Sequence, residues 1–123
     1  MKLLVCGGRD LNEVEVYDQL ASWIIGFESS SNWFVTEIIQ GRATGADTAA
    51  YNYAIDHGLV TQSYFPHWER FGNAAGMIRN KKMLTEGQPD AILAFPGGKG
   101  TKGMIKLAEN AGIPVYKIGD WND

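Results

Sequence analysis

The chain contains almost no cysteine, little histidine and no long apolar run. Its single cysteine, Cys6, rules out an internal disulfide framework, and its apolar surroundings indicate a buried thiol rather than a nucleophile. Two histidines without ligand spacing argue against a metal site, and no cofactor is predicted. No stretch approaches the ~18 apolar residues that cross a bilayer, and no secretion signal is recognised, so we expect a cytoplasmic protein without membrane association.

The chain also lacks a strong charge of either sign. Its 123 residues carry a formal net charge of -3, which argues against broad, non-specific binding of nucleic acid. A local basic pocket is compatible with that balance. Hydrophobic residues make up 45% and charged residues 20%, as is ordinary for a globular protein, and no linker or repeat interrupts the pattern. We therefore predict a single domain that spans residues 1–123.

Strand-like and helix-like segments alternate along the chain. We predict strands at residues 3–6, 34–39, 60–65, 90–95 and 115–118. Helices are predicted at about 12–27, 44–58, 73–86 and 101–111, with a loop at 28–32. The first two helices begin at apparent capping boxes, Asn12 with Glu15 and Thr44 with Asp47.

This alternation predicts an α/β fold, a Rossmann-like three-layer domain with a parallel five-stranded sheet covered on both faces. A doubly wound order places the first and fourth strands side by side, and ligands bind at the carboxyl ends of the strands where the winding reverses. We therefore expect a crevice between residues 7–10 and 96–100.

The most informative segment is the glycine turn that joins the fourth strand to the last helix. It consists of Pro96, Gly97, Gly98, Lys99, Gly100 and Thr101. Glycines there let a ligand approach the main chain closely, and the free N–H groups at a helix start suit a phosphate. The alternative is an ordinary strand-to-helix connection.

Glycine-bearing turns follow the first, second and fourth strands, so all three are expected at one edge of the sheet. They carry the cations Arg9, Arg42, Lys99 and Lys102. This grouping predicts binding of an anion, with scattered solvated cations as the alternative. Asp10 and Asp47 stand on the same edge, where a carboxylate can hold ribose hydroxyls. For Asp47 the capping box is an equally good explanation.

Four motifs occur in order along the chain: Gly7-Gly8-Arg9-Asp10, Gly41-Arg42-Ala43-Thr44-Gly45-Ala46-Asp47, Arg79-Asn80-Lys81-Lys82-Met83 and Pro96-Gly97-Gly98-Lys99-Gly100-Thr101. Together they resemble the SLOG superfamily, most closely its small stand-alone branch related to YspA and YpsA. The resemblance implies a Rossmann-like domain that binds nucleotides or nucleotide-derived ligands such as ADP-ribose. More distant relatives include the LOG phosphoribohydrolases and DprA-type proteins that bind single-stranded DNA.

The resemblance also shows a departure from the enzymes. In the LOG pattern the phosphate motif continues to two glutamates, the first of them catalytic, and those positions are Gly103 and Met104 here. The arginine that works with that glutamate corresponds to Arg79. Because glycosidic cleavage needs a carboxylate, the sequence favours a sensor or sequestering protein over an enzyme.

Two alternatives remain open at this point. The first is a hydrolase of nucleotide derivatives, in which Asp10 or Asp47 replaces the glutamate and Arg79 orients the phosphate. The second is a single-stranded nucleic-acid binder with Trp68 as a stacking platform. Its cations would be Arg9, Arg42, Arg79, Lys81 and Lys82.

The expected partner is a small nucleotide-like molecule, and nucleic acid is the less favoured choice. The predicted ligand-binding residues are Gly7, Gly8, Arg9, Arg42, Gly45, Asp47, Arg79, Pro96, Gly97, Gly98, Lys99, Gly100 and Thr101, and the catalytic candidates are Arg79, Asp47 and Asp10. We also expect a homodimer, because the first helix carries an apolar face formed by Trp23, Ile24, Ile25 and Phe27.

Overall fold

Five strands alternate with helices, as the sequence predicts. The computed structural model describes residues 1–121. Its elements are β1 (Lys2–Cys6), α1 (Glu13–Ser31), β2 (Glu37–Gln40), α2 (Ala46–Asp56), β3 (Val60–Ser63), α3 (Trp68–Phe71), a 3-10 turn (Gly72–Ala74), α4 (Ala75–Thr85), β4 (Ala91–Ala94), α5 (Lys99–Asn110) and β5 (Val115–Lys117).

The sheet is wholly parallel, with the strand order β3-β2-β1-β4-β5. β1 pairs with β4 in a register that sets Leu4 beside Ile92 and Cys6 beside Ala94. This adjacency confirms the predicted doubly wound fold, a Rossmann-like three-layer domain. The winding reverses between β1 and β4, and in folds of this class ligands bind beyond the carboxyl ends of the two strands at such a point.

Both faces of the central strands are buried, which is why β1 and β4 read as continuous apolar runs. On one face, α1 and α2 cover Leu3, Val5 and Leu93. On the other face, side chains of α4 and α5 pack against Leu4 and Ile92. Within the described residues, no helix has both the length and the apolar character that a membrane crossing requires.

The first helix is longer than predicted, and the loop predicted at 28–32 is wrong. α1 continues to Ser31, and its last turn is stabilised by the Ser31 hydroxyl, which donates a 2.6 Å hydrogen bond to the Phe27 carbonyl. Asn32 then ends the helix with a φ of 57°. The Glu28 carboxylate accepts a bond from the Val35 N–H at 2.8 Å, and β2 begins only at Glu37.

The capping box predicted at Thr44 is also wrong. Gly45 occupies the N-cap of α2 with a φ of 73° and no side-chain cap, a conformation that favours glycine. The Thr44 hydroxyl donates instead to the Arg9 carbonyl at 3.0 Å. Asp47 accepts from the Ala43 N–H at 3.1 Å, so its carboxylate closes the preceding turn rather than binding Thr44. The capping box at Asn12 is formed in its first half, since Asn12 accepts from the Glu15 N–H at 3.0 Å.

Two helix starts differ from the predicted ones. The helix predicted from about residue 73 begins at Ala75 as α4, because residues 72–74 form the 3-10 turn. The sequence does not predict the short helix α3 before this turn. α5 begins at Lys99 with Gly98 at its N-cap, two residues before the predicted start. Lys99 and Gly100 therefore lie in the first turn of α5.

The apolar face proposed for a dimer is largely used within the chain. Ile24 lies in the core, while Trp23 stacks on Phe27 at 4.9 Å between ring centroids and approaches Tyr116 at 5.3 Å. Of these side chains, that of Ile25 stays exposed. This face therefore does not support the expected homodimer, which stays a prediction.

Candidate functional site

The glycine turns after β1 and β4 contact each other directly. The Gly8 N–H donates to the Pro96 carbonyl at 2.8 Å. A Cβ on Gly97 would lie 2.8 Å from the Gly8 nitrogen and would collide with the Thr101 hydroxyl. The two main chains approach this closely because neither residue carries a side chain. The strand ends on either side of the switch point are therefore joined by main-chain contact.

The glycine turn after β2 joins the same group. The Ala46 N–H donates to the Gly8 carbonyl at 3.2 Å, so the start of α2 lies on the β1 turn. A Cβ on Gly7 would lie 2.7 Å from the Cβ of Ala46, and a Cβ on Gly45 would collide with the Gly8 carbonyl oxygen. Three glycine turns that are distant in sequence therefore meet around Gly8.

The start of α5 is open to solvent. Its N-cap residue, Gly98, has a φ of -89° and no side-chain cap, and Gly98, Lys99 and Gly100 are exposed. No atom lies within 4 Å of the position that a Cβ would take at Gly98 or at Gly100. The first N–H groups of a helix have no acceptor within the helix and lie at its positive end. This end of α5 can therefore receive an anion.

Arg79 reaches from α4 to the end of β2. Its Nη1 donates to the Gly41 carbonyl at 2.7 Å, and its Nε donates to the side-chain oxygen of Asn80 at 3.0 Å. Asn80 is only 4% exposed and donates in turn to the Gly100 carbonyl at 3.1 Å. Through Asn80, the guanidinium is connected to the first turn of α5. Burial lowers the pKa of Arg79, but arginine stays protonated at physiological pH.

Asp47 lies opposite Arg79 across Gly41. A Cβ on Gly41 would lie 3.1 Å from Oδ2 of Asp47 and would collide with the Arg79 guanidinium, so only glycine fits between the two side chains. Asp47 is 7% exposed, and this burial raises its pKa from the ordinary value of 3.8 to about 6. Hydrogen bonds from the main chain and the charge of Arg79 act in the opposite direction. The carboxyl group can therefore exchange a proton near neutral pH.

Cys6 lies close to this pair but has a different character. Burial raises the pKa of its thiol far above the ordinary value, and the charge of Asp47 adds to the effect. The thiol stays protonated, which agrees with its interpretation as a buried structural side chain. Among residues 1–121, no three His, Cys, Asp or Glu side chains are grouped so that they could hold a metal ion.

The remaining charged residues of the predicted site are exposed, and the charge of Arg9 contributes to lowering the pKa of Arg79. Arg9, Asp10 and Lys99 are exposed at the carboxyl edge of the sheet. Arg42 has a φ of 58°, and its guanidinium lies 4.1 Å over the ring of Tyr51 rather than over the glycine turns. The Arg42 side chain is therefore separate from the group formed by Asp47, Arg79 and the three turns.

Two residues of this group are absent from the predicted site, Gly41 and Asn80. Gly41 belongs to one of the four motifs, but the sequence does not show why a glycine is required there. The group that excludes a Cβ at this position is the guanidinium of Arg79, which is 38 positions away. The position of Asn80 in the sequence could have indicated its role. It lies three residues before the buried Met83 on the inner face of α4, where an apolar side chain is expected. A buried amide at such a position indicates a specific hydrogen-bonding role.

No protein-family model matches the chain. The chain is 32% identical, over 127 aligned residues, to the Gene 61 protein of Mycobacterium phage D29. The alignment covers 97% of each protein, so the similarity extends over the whole domain rather than over one motif.

Proposed function

The chain belongs to the same family as the Gene 61 protein of Mycobacterium phage D29, and we propose that it binds the phosphate of a nucleotide or of a nucleotide-derived ligand such as ADP-ribose. The site is the carboxyl edge of the sheet. The observation that carries this proposal is the open start of α5 at Gly98, directly beside the joined glycine turns at the switch point. Phosphates are bound at helix starts of this kind.

The charges around the turn favour the same ligand. Arg79 is anchored with its guanidinium between β2 and α5, and Lys99 lies exposed in the first turn of α5. Arginine holds a phosphate through paired, directional hydrogen bonds, and an anchored side chain loses little entropy on binding. The exposed N–H groups, Arg79 and Lys99 together supply the positive potential for one or more phosphate groups.

The side chains of α5 favour binding over cleavage. Met104 is buried against the sheet, and a Cβ on Gly103 would lie 3.3 Å from the terminal methyl of Met77. Neither position where the LOG pattern has a glutamate carries a carboxylate here, since Gly103 has no side chain and Met104 packs in the core. We propose a sensor or a sequestering protein as the function of this domain.

Gly98→Ala is expected to weaken ligand binding at least about 10-fold without unfolding the protein. Alanine adopts the φ of -89° found at Gly98, and its Cβ meets no protein atom within 4 Å. The methyl group would occupy the space through which a phosphate approaches the main chain. The affinity for ADP-ribose and for nucleoside monophosphates is measured by calorimetry, and native mass spectrometry gives the stoichiometry.

Gly26→Ala is the matched control for this experiment. Gly26 lies in α1, away from the carboxyl edge, and its Cβ would also have open space. This variant should keep the affinity of the wild type. Equal affinity in Gly98→Ala and the wild type would place the phosphate elsewhere and contradict the proposed site.

A second candidate function is hydrolysis of the same ligands, and the observation in its favour is Asp47. Its carboxyl group has a pKa of about 6, which suits a general acid or base near neutral pH. It also lies opposite Arg79, which could hold the phosphate of a substrate. Asp10, the other carboxylate considered, is exposed and so less suited to the role. In this alternative, the ionised Asp47 activates water while Arg79 holds the phosphate.

The two functions differ in what happens to the ligand over time. Hydrolysis predicts that a free base or a ribose phosphate accumulates, that the rate increases as the pH rises through about 6, and that Asp47→Asn abolishes turnover. Asp10→Asn is the control and should keep its activity. A ligand that stays bound with unchanged mass excludes hydrolysis and leaves the binding function.

A further inference from the structure

A cleft of about 460 Å³ opens after β3, lined by Pro66, His67, Trp68, Glu69 and Arg70. Because β3 runs parallel to the other strands, its carboxyl end lies at the same edge of the sheet as the three glycine turns. The cleft therefore lies at the same edge of the sheet as the proposed phosphate site, and none of its residues belongs to that site.

Trp68 lies between the cleft and α4. Its Cη2 atom is 3.7 Å from the position that a Cβ would take on Gly76, so one edge of the indole packs on the first turn of α4. The rest of the ring is available, since Trp68 is 49% exposed. The indole is therefore supported by α4 along one edge, while the rest of the ring stays open to a ligand.

Trp68 is also close to the group that anchors Arg79. Gly76, Arg79 and Asn80 have the spacing i, i+3 and i+4 and thus share one face of α4. The indole therefore contacts this face three residues, or ~4.5 Å along the axis, before Arg79. A ligand whose phosphate lies near Arg79 and α5 would bring its next chemical group to the open face of Trp68.

We propose that Trp68 is the stacking platform for the nucleobase of the ligand, and that the 460 Å³ cleft is the base subsite. This inference rests on the proposed phosphate site and adds an aromatic base to the ligand. Aromatic side chains bind bases through their faces, largely irrespective of base identity. Glu69 and His67 line the same cleft and offer polar groups to the edge of a stacked base.

The test compares ADP-ribose, which carries an adenine base, with ribose 5-phosphate, which carries no base, by calorimetry. Trp68→Ala should lower the affinity for ADP-ribose about 10-fold or more, and should change that for ribose 5-phosphate by less than about 2-fold. Trp68→Phe keeps an aromatic face and should retain most of the affinity for ADP-ribose. In the wild type, ADP-ribose should also quench part of the tryptophan fluorescence, and this quenching should be absent in Trp68→Phe.

Trp33 provides the matched control. It is 48% exposed but precedes β2, so it lies at the amino edge of the sheet, and Trp33→Ala should leave both affinities unchanged. Equal affinity of wild type and Trp68→Ala for ADP-ribose would overturn the base subsite alone. Equal losses for both probes would assign Trp68 a merely structural role and also overturn it. If neither probe binds to the wild type, the proposed phosphate site itself is wrong.

Discussion

Asp47→Asn is expected to raise the free energy of unfolding at about pH 8 by about 3 kcal/mol. The difference between the ordinary pKa of 3.8 and the value of about 6 in the folded protein is the source of this gain. The ionised carboxylate is disfavoured in the folded chain because it is buried, and asparagine carries no charge. The asparagine side-chain oxygen can still accept the hydrogen bond from the Ala43 N–H.

The sign of the pH dependence follows from the raised pKa. Below pH 3.8 the carboxyl group of Asp47 is protonated in both the folded and the unfolded chain, and its full stabilising contribution is present. As the pH rises, the unfolded chain releases the proton first, so the folded state loses stability until the pH has passed about 6. The stability difference between Asp47→Asn and wild type should therefore grow over this range and then stay constant.

Urea unfolding at a series of pH values measures this difference. Asp10→Asn removes an exposed aspartate from the same edge and should change the stability by less than about 0.5 kcal/mol at every pH. A destabilised Asp47→Asn protein at about pH 8 would show that the ionised Asp47–Arg79 pair stabilises the fold, contrary to the expected desolvation penalty. A gain in stability combined with a loss of ligand binding or turnover would identify Asp47 as a residue retained for function.

Arg79→Gln is expected to lower the affinity for ADP-ribose about 100-fold. The variant loses the cation beside the open start of α5 and part of the bridge that Arg79 forms between Gly41 and Asn80. The pKa of Asp47 should rise further above about 6, because the charge of Arg79 acts to lower it. Calorimetry measures the affinity, and a ¹³C NMR titration of the side-chain carboxyl groups measures the pKa.

Lys81→Gln is the control for this second experiment. Lys81 lies on the same helix and loses the same charge, but its side chain is exposed. The affinity of Lys81→Gln for ADP-ribose should stay within about 2-fold of the wild type, since an exposed charge that does not contact the ligand is screened at physiological salt. If both variants lose affinity equally and the loss depends steeply on salt, general electrostatic attraction accounts for binding, and an oligonucleotide becomes the better ligand. An unchanged affinity in Arg79→Gln would remove Arg79 from the site.

Much of the fold could be predicted from local pattern. The alternation of apolar runs with helical spacing predicted five strands, and glycine clusters at 7–8 and 97–98 marked where two of them end. Because parallel strands place all their carboxyl ends at one edge, the order of elements alone brought three turns together. The helix limits were less accurate, since the serines at 29–31 read as a loop but extend α1 by hydrogen bonding to its own main chain.

The contacts of the polar side chains could not be predicted from local pattern. Asp47 has the spacing of a capping box, but the tertiary structure turns it toward Gly41 and Arg79. Arg42 follows β2 in a glycine turn and is therefore predicted to bind the ligand, but its guanidinium lies over the ring of Tyr51.

The sequence by itself determined the parallel sheet and the edge at which its glycine turns meet, because periodicity and turn residues act over a few neighbouring positions. Only the tertiary structure decided which charges face each other at that edge. Burial and hydrogen bonding there join residues from β2, α2, α4 and α5, which are far apart in the chain.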